Sequence, residues 1–532
     1  MAVSRLLITI AMCWPALRLA VGETHEPDPF LRRALHLEPN KHLQHLATIS
    51  DTEGSLARTF FSPAHRRAAE QIKSWMQDIG MQTWIDAVGN VHGRIKASRD
   101  GTQAVLLGSH YDTVLDGGAY DGALGIIVGL AAVKGMLLTE MVQRGWLDRL
   151  PPQPANDMDG DIVIPPTLAS SLLTHGSVHL VAFTDEEGVR FQSTFLGSRA
   201  VVGTLLDYNM LASRDRSGKS LEQVLQDEGG VTDPRAEVAS LALDPATISE
   251  YVEVHIEQGP VLESRGLPLG IVAGIAGQTR LWVQVNGTQG HAGTVPMQNR
   301  RDALVAAAEL ITTLEALCTV PESEGGVPEE ENLVCTVGEV KVWPGASNVI
   351  SGHTGFSVDI RSKTDPVRNE VVRQVLQAVE RTCHRRGVHC EVERKHDAEA
   401  VLSDPEVLKN MGVAASLAKP LLLAVLTQEE IQRNSGILEG LQSVPVLVSG
   451  AGHDAMAIAE RIPKMGMMFV RCRGGVSHSP LEYMEPEDVT ASAAALAVYL
   501  WGRLAGSMEA EWDGAASTAP VDSAASKARD EL

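Results

Sequence analysis

The stretch AVLLGSHYDTVLDGGAYDGALG, residues 104–125, opens as a short apolar strand and runs at once into a glycine-rich loop carrying His110, Asp112 and Asp121. The arrangement recurs. VHLVAF (178–183) is followed by Glu186 and Glu187 in TDEEGVRF (184–191), YVEVHI (251–256) carries His255, and MGMMFV (465–470) is followed by His478. Helical patterns lie between the strands; SPAHRRAAEQIKSWMQDIG (62–80) has a Ser cap before Pro, apolar residues spaced by three and four, and a stop at Gly80. Short apolar strands alternating with helices predict a twisted α/β sheet. Metal-ligand residues at the carboxyl ends of several such strands converge on one crevice, where open α/β sheets bind ligands.

The texture changes between 268 and 395. TRLWVQVNGTQ alternates as a strand into a turn, RDALVAAAELITTLEALC is a helix, NLVCTVGEVKVW and HTGFSVDIRS are strands, and DPVRNEVVRQVLQAVERTC is a second helix. This βαββαβ-like order predicts a compact α+β domain inserted into the sheet domain, which is thereby split into 26–267 and 396–505. The Pro- and Asp-rich run 147–166 reads as a surface insertion.

With 44% hydrophobic and 21% charged residues over 532 positions, the chain can build two or three domains with real cores. A formal charge of −22 and 4% aromatics argue against nucleic acid or an anionic membrane as partner. An anionic substrate then needs a local cationic pocket. Residues 1–22, with Arg5 before LLITIAMCWPALRLAVG, resemble a signal peptide. No later stretch reads as a bilayer span, so no membrane insertion is expected. A small-residue polar tail, 506–532, expected to be disordered, ends in RDEL, similar to a KDEL-type retrieval signal. Both ends point to the endoplasmic reticulum lumen. Once Cys13 leaves with the leader, five cysteines remain (318, 335, 383, 390 and 472) with no CxxC spacing. No disulfide framework or thiolate metal site is indicated, and at least one free thiol is expected. The sole glycosylation sequon, Asn286-Gly-Thr288, also reads as a hairpin turn.

Imidazoles and carboxylates in this mixture suit a pair of zinc, manganese or cobalt ions. Each position alone has a bland reading: a strand histidine is more often packed than ligating, Asp-Gly is a common turn, and Glu186-Glu187 before Gly188 can be a solvated loop. Jointly these readings would have to explain every strand exit independently.

The motifs GSHYDTVLDGGAYDGALG, FTDEEGVRF, VHIEQGP, GTQGHAGTVPM and GGVSHSPLE resemble those of the dinuclear metallohydrolase family of aminoacylases, dipeptidases and N-carbamoyl amidohydrolases. Within it, AFTDEEGVRFQSTFLGS, EVHIEQGPVLE, GIAGQTRL, NVISG, ERKHDA and SGAGHDAMA are similar to the plant-type allantoate amidohydrolases, over about residues 40–500. The resemblance implies that His110, Asp121, Glu187, His255 and His478 ligate two divalent ions, with Asp121 bridging and His110 and Glu187 on opposite sides. Manganese is the family's metal, with zinc or cobalt as alternatives. It further implies that Asp112 orients His110 and that Glu186 is the general base. His291, reaching in from the partner subunit of a homodimer, would stabilise the oxyanion. Arg361, Asn348 and Gln258 would bind the small anionic substrate, and His453 would line the pocket or support its loop. The implied reaction is hydrolysis of a ureido group of allantoate to ureidoglycine, ammonia and carbon dioxide, with the inserted domain closing over the site. Ureidoglycolate and N-carbamoyl-β-alanine remain alternative substrates, and a catalytically silent lumenal binding protein is the alternative of another class.

Overall fold

A computed structural model describes residues 26–151, 161–319, 332–434 and 436–505. Residues 1–25 and 506–532, where a leader and a disordered tail are expected, and the centre of the 147–166 insertion lie outside the described residues. The chain divides into two compact units, the first running to Ala273 and resuming at Ser403–Leu447 and from His453, the second comprising Gly274–Leu402 and Val448–Gly452.

The first unit is built on strands β1 (Gln82–Ile85), β2 (Val91–Ile95), β3 (Ala104–His110), β4 (Ser177–Phe183), β5 (Ile248–Ile256), β6 (Leu269–Ile275) and the strand Met465–Val470. Their order is β1-β2-β4-β3-β5-(465–470)-β6. The four central strands, β4, β3, β5 and 465–470, run parallel, while β2 and β6 flank them antiparallel. Every residue of β3, β4 and 465–470 is buried, which is why these strands read as unbroken apolar runs. Helix Pro63–Asp78 starts as its sequence predicts, the Ser62 side chain accepting from the His65 N–H.

Helix Ala123–Arg144 does have the length and apolar composition to cross a bilayer, although the sequence reading found no such stretch. Its residues 123–141 are all buried, packed on β3 and against helix Pro486–Leu504. Being apolar all round, it is the central helix of this core.

The second unit is an antiparallel sheet. Its strands β7 (Gly277–Asn286), β8 (Val340–Trp343), β9 (His353–Ser362) and β10 (His389–Ala398) lie in the order β8-β9-β7-β10. Alternate residues of β7 and β9, such as Val283, Val285, Phe356 and Val358, join helices Ala303–Cys318 and Asp365–Arg386 in one core. The intervening residues form a polar face on which Arg361 lies opposite Gln278, and Asp359 opposite Arg280. Four cysteines pair, against the expectation of no disulfide framework. Cys318 bonds Cys335 and Cys383 bonds Cys390, leaving Cys472 free and buried. Each bridge ties a helix's last turns to a strand, at sequence separations of 17 and 7. Tertiary approach sets such pairs, and no short spacing motif announces them.

Candidate metal centre

Ligand-type side chains leave the carboxyl ends of all four parallel strands. His110 is the last residue of β3, and the loop beyond it returns to Asp121 just before helix Ala123–Arg144. That return needs glycine at 122: its φ is 66°, and a Cβ there would lie 2.5 Å from the His110 ring. Asp185 after β4, Gln258 after β5 and His478 after 465–470 are three of the nine non-glycine residues with positive φ among the described residues. Backbone strain therefore collects at the strand exits, as it does at functional sites.

Asp121 is the centre of the arrangement. Its Oδ1 lies 3.2 Å from His255 Nε2 and 3.7 Å from His110 Nε2. Its Oδ2 lies 3.2 Å from His478 Nε2, which is itself 3.2 Å from Glu187 Oε1. Two groups result, His110/Asp121/His255 and Asp121/Glu187/His478, and within each the ligand atoms lie within 4.8 Å of one another. The carboxylate they share has one oxygen in each group.

Tautomers show what the groups suit. His110 Nδ1 faces the Asp112 carbonyl at 3.2 Å and His255 Nδ1 the Ile256 carbonyl at 3.0 Å, so both Nδ1 atoms carry protons. The two Nε2 atoms then point at carboxylate oxygens, and a second proton or a metal cation has to lie between. The field demands positive charge in either case. Hydrogen bonding to Asp121 and then to Glu187 raises His478 to about 10. Burial works most strongly against a charged His110, yet the hydrogen bonds of Asp112 and Asp121 raise it well above its ordinary value. A donor set of three imidazoles, a shared carboxylate and Glu187 fits two borderline divalent ions. A third group, Glu253/His255/His453, also comes together. Because both nitrogens of His255 are already engaged, it is not an independent ion site.

Asp112 joins two strand exits. Besides its contact with His110, its Oδ1 accepts from the Glu186 N–H at 3.0 Å and its Oδ2 from the Glu187 N–H at 3.2 Å. Glu186 thereby stands beside the pair but in neither ligand group, its Oε2 3.9 Å from His110 Nε2. Burial, supported by Glu187, Asp454 and Asp112 against the pull of His110, pushes its carboxyl well above the usual range. Arg190, the one basic residue near this acidic pair in sequence, pairs elsewhere, with Glu228 at 2.7 Å and Asp215 at 3.2 Å.

Several contributors escaped the sequence reading. Ser477 donates to Asp121 Oδ2 at 2.8 Å, and Glu482 accepts from the backbone of Tyr120 and Asp121. Glu253 is fully buried on β5, holding the Tyr251 hydroxyl and the Ala455 N–H. An acid inside a buried strand, two residues before His255 and so on the same face, was the available signal. Of the expected substrate residues, Gln258 gives its Nε2 to Asp121 and Ser477, both at 3.0 Å, and its Oε1 is buried without a hydrogen-bond partner. His453 is buried edge-on to His255, with ring centroids 4.5 Å apart. Burial first, then the neighbouring His255, keeps it neutral.

His291, Asn348 and Arg361 belong to the second unit. His291 pairs with Val349 in a short two-stranded ladder, and the Asn348 carbonyl accepts from the Ala292 N–H at 2.9 Å. Arg361 is clasped by Asp359 two residues back along β9, at 3.0 and 2.9 Å, and gives its remaining nitrogen to the Gly450 carbonyl at 2.7 Å.

Comparison with known proteins agrees with this geometry. The profile of Peptidase family M20/M25/M40 matches residues 166–501, and that of Peptidase family M28 matches residues 90–216. The chain is 46% identical to a probable allantoate deiminase of Oryza sativa subsp. japonica, over 89% of each chain. It is 43% identical to the allantoate deiminase of Arabidopsis thaliana, over 91% of this chain and 85% of that one. A crystal structure of AtUAH in complex with glyoxylate superposes with a TM-score of 0.66 at 28% identity, covering 89% of this chain and 99% of that chain. Ligand residues at four parallel strand exits, and a matched profile over more than half of the sequence, have one reading: the chain belongs to peptidase family M20/M25/M40.

Proposed function

We propose that this protein is an allantoate amidohydrolase, which hydrolyses allantoate to ureidoglycine, ammonia and carbon dioxide. The substrate reading rests on relatives 43% and 46% identical over about nine-tenths of this chain. The chemical reading rests on one observation: Asp121 divides its two oxygens between two ligand groups while Glu186 stands beside His110 and in neither group.

His110, Asp121 and His255 would hold one ion, and Asp121, Glu187 and His478 the other. When bound, the ions supply Lewis acidity for the attacking water and the ureido carbonyl. The chain's own part is proton traffic and positioning. Glu186 takes the proton of the attacking water and returns it to the leaving nitrogen, a role for which a carboxylate with a raised pKa is suited. Asp112 holds the His110 ring and the backbone of Glu186 and Glu187 in a single register. His291 would stabilise the oxyanion, and Arg361, with Asn348 and Gln258, would take the carboxylate and ureido groups of the substrate. His453 packs behind His255 and steadies it.

Manganese as the metal, a homodimer and a lumenal location complete the proposal. Two disulfides in one unit of a chain with a leader-like start support an oxidising compartment. The test is ammonia release by the manganese-loaded protein from allantoate, ureidoglycolate and N-carbamoyl-β-alanine in parallel. Preference for allantoate is expected. Preference for another ureido compound would overturn the substrate, and silence on all three would favour a binding protein.

A further inference from the structure

We propose that Glu482 is the positioning residue of the shared carboxylate: it holds the Asp121 backbone from behind so that the two carboxylate oxygens face the two ligand groups. The inference rests on the two-ion reading above. Glu482 Oε1 accepts from Tyr120 N at 2.7 Å and from Asp121 N at 2.9 Å, and its side chain is buried. The same loop reaches the Asp121 side chain from the front, Ser477 Oγ at 2.8 Å and His478 Nε2 at 3.2 Å from Oδ2. Residues 477–482 thus grip Asp121 by backbone and side chain together.

Close packing supports this reading. A Cβ at Gly118 would lie 2.2 Å from the Glu482 carboxyl carbon, and one at Gly122 would lie 2.5 Å from the His110 ring. Two glycines therefore let the segment 118–122 sit wedged between Glu482 and a ligand. Burying a further carboxylate next to Asp121 is costly unless it is well bonded. Two bonds from backbone N–H groups to Oε1 offset part of that cost and orient the loop.

Because Asp121 is common to both ligand groups, losing Glu482 should loosen both ions together. Losing His110 or His478 removes a donor from one group only. The test is titration of metal-free, full-length protein with Mn2+ by calorimetry, with the visible absorption of the Co2+-loaded protein as a coordination signature. Wild type should bind two ions. Glu482→Ala should weaken both by about 10- to 100-fold, the range for lost hydrogen bonds to a charged group. Glu482→Gln keeps a carbonyl acceptor and should recover most of the affinity and the cobalt spectrum. Gly118→Ala pushes the carboxyl away and should mimic Glu482→Ala, adding nothing in the double variant. If Glu482→Ala does not fold, Gly118→Ala carries the same test. Unchanged affinity in Glu482→Ala and Gly118→Ala, weakening of one ion alone, or equal damage in the Ala and Gln variants would overturn the proposal. Fewer than two ions in the wild type would overturn the two-ion reading, and the proposal with it.

Discussion

In the inserted unit, acids are answered by arginines of the same unit. Asp359 is paired with Arg361 and Arg280, Glu309 with Arg385 and Arg386, and Asp365 and Asp397 with Arg368. The crevice of the sheet unit does the opposite. Asp112, Asp121, Glu186, Glu253 and Glu482 are all buried there among imidazoles, and the nearby Arg58 spends its guanidinium on the carbonyls of Tyr111, Leu46 and Ile49. Paired charge is architecture, whereas a buried excess of one sign persists only where protons or an ion of the other sign neutralise it. Arg361 needs a finer reading, since Asp359 already holds it. It is a pre-oriented cation, and a substrate carboxylate would meet it with little side-chain entropy left to lose.

The contrast between the two units fails first if the crevice charge is not there for cations. Asp121→Asn should lose both ions and reduce ammonia release below detection, as read by metal analysis and turnover. In the wild type, chelation should lower the thermal midpoint, because each ion at a hundredfold excess over its Kd contributes about 2.7 kcal/mol. Next comes the inserted unit's cation. Arg361→Ala should raise KM for allantoate about 10- to 100-fold, the range for a lost charged hydrogen bond, with kcat and metal content little changed. Cys318→Ser should cost the inserted unit about 3 kcal/mol in denaturant unfolding and leave the ion count alone. Arg190→Ala should have the smallest effect. Its partners are Glu228, bound through two nitrogens, and Asp215 rather than Glu186 or Glu187, so about 1–2 kcal/mol of stability and near-normal turnover are expected. A large loss of turnover would show that this arginine serves the acidic pair after all.

Legibility in the sequence followed the same division. Continuous apolar strands ending in His or acidic residues announced the parallel sheet and its candidate ligands, because both faces of those strands are buried and their exits carry the polar chemistry. The α+β unit was readable from the period-two alternation of β7 and from its two long helices. Residues that act through the backbone were not. Glu482 looks like any loop acid until its bonds to Tyr120 and Asp121 are seen. The disulfides and the core position of helix Ala123–Arg144 depend on tertiary contacts that local patterns do not encode. The clasp of Arg361 by Asp359 was legible in principle, since residues two apart on a strand share a face.

The proposed function divides labour between adjacent glutamates, Glu187 holding an ion and Glu186 moving protons. Its most direct test is Glu186→Gln, with bound metal and allantoate turnover measured on the same sample. Two ions per chain are expected, as in wild type, with turnover reduced by about 10²- to 10⁴-fold, the usual contribution of a general base. Loss of an ion would make Glu186 a ligand, and near-normal turnover with both ions bound would leave it without the role assigned here.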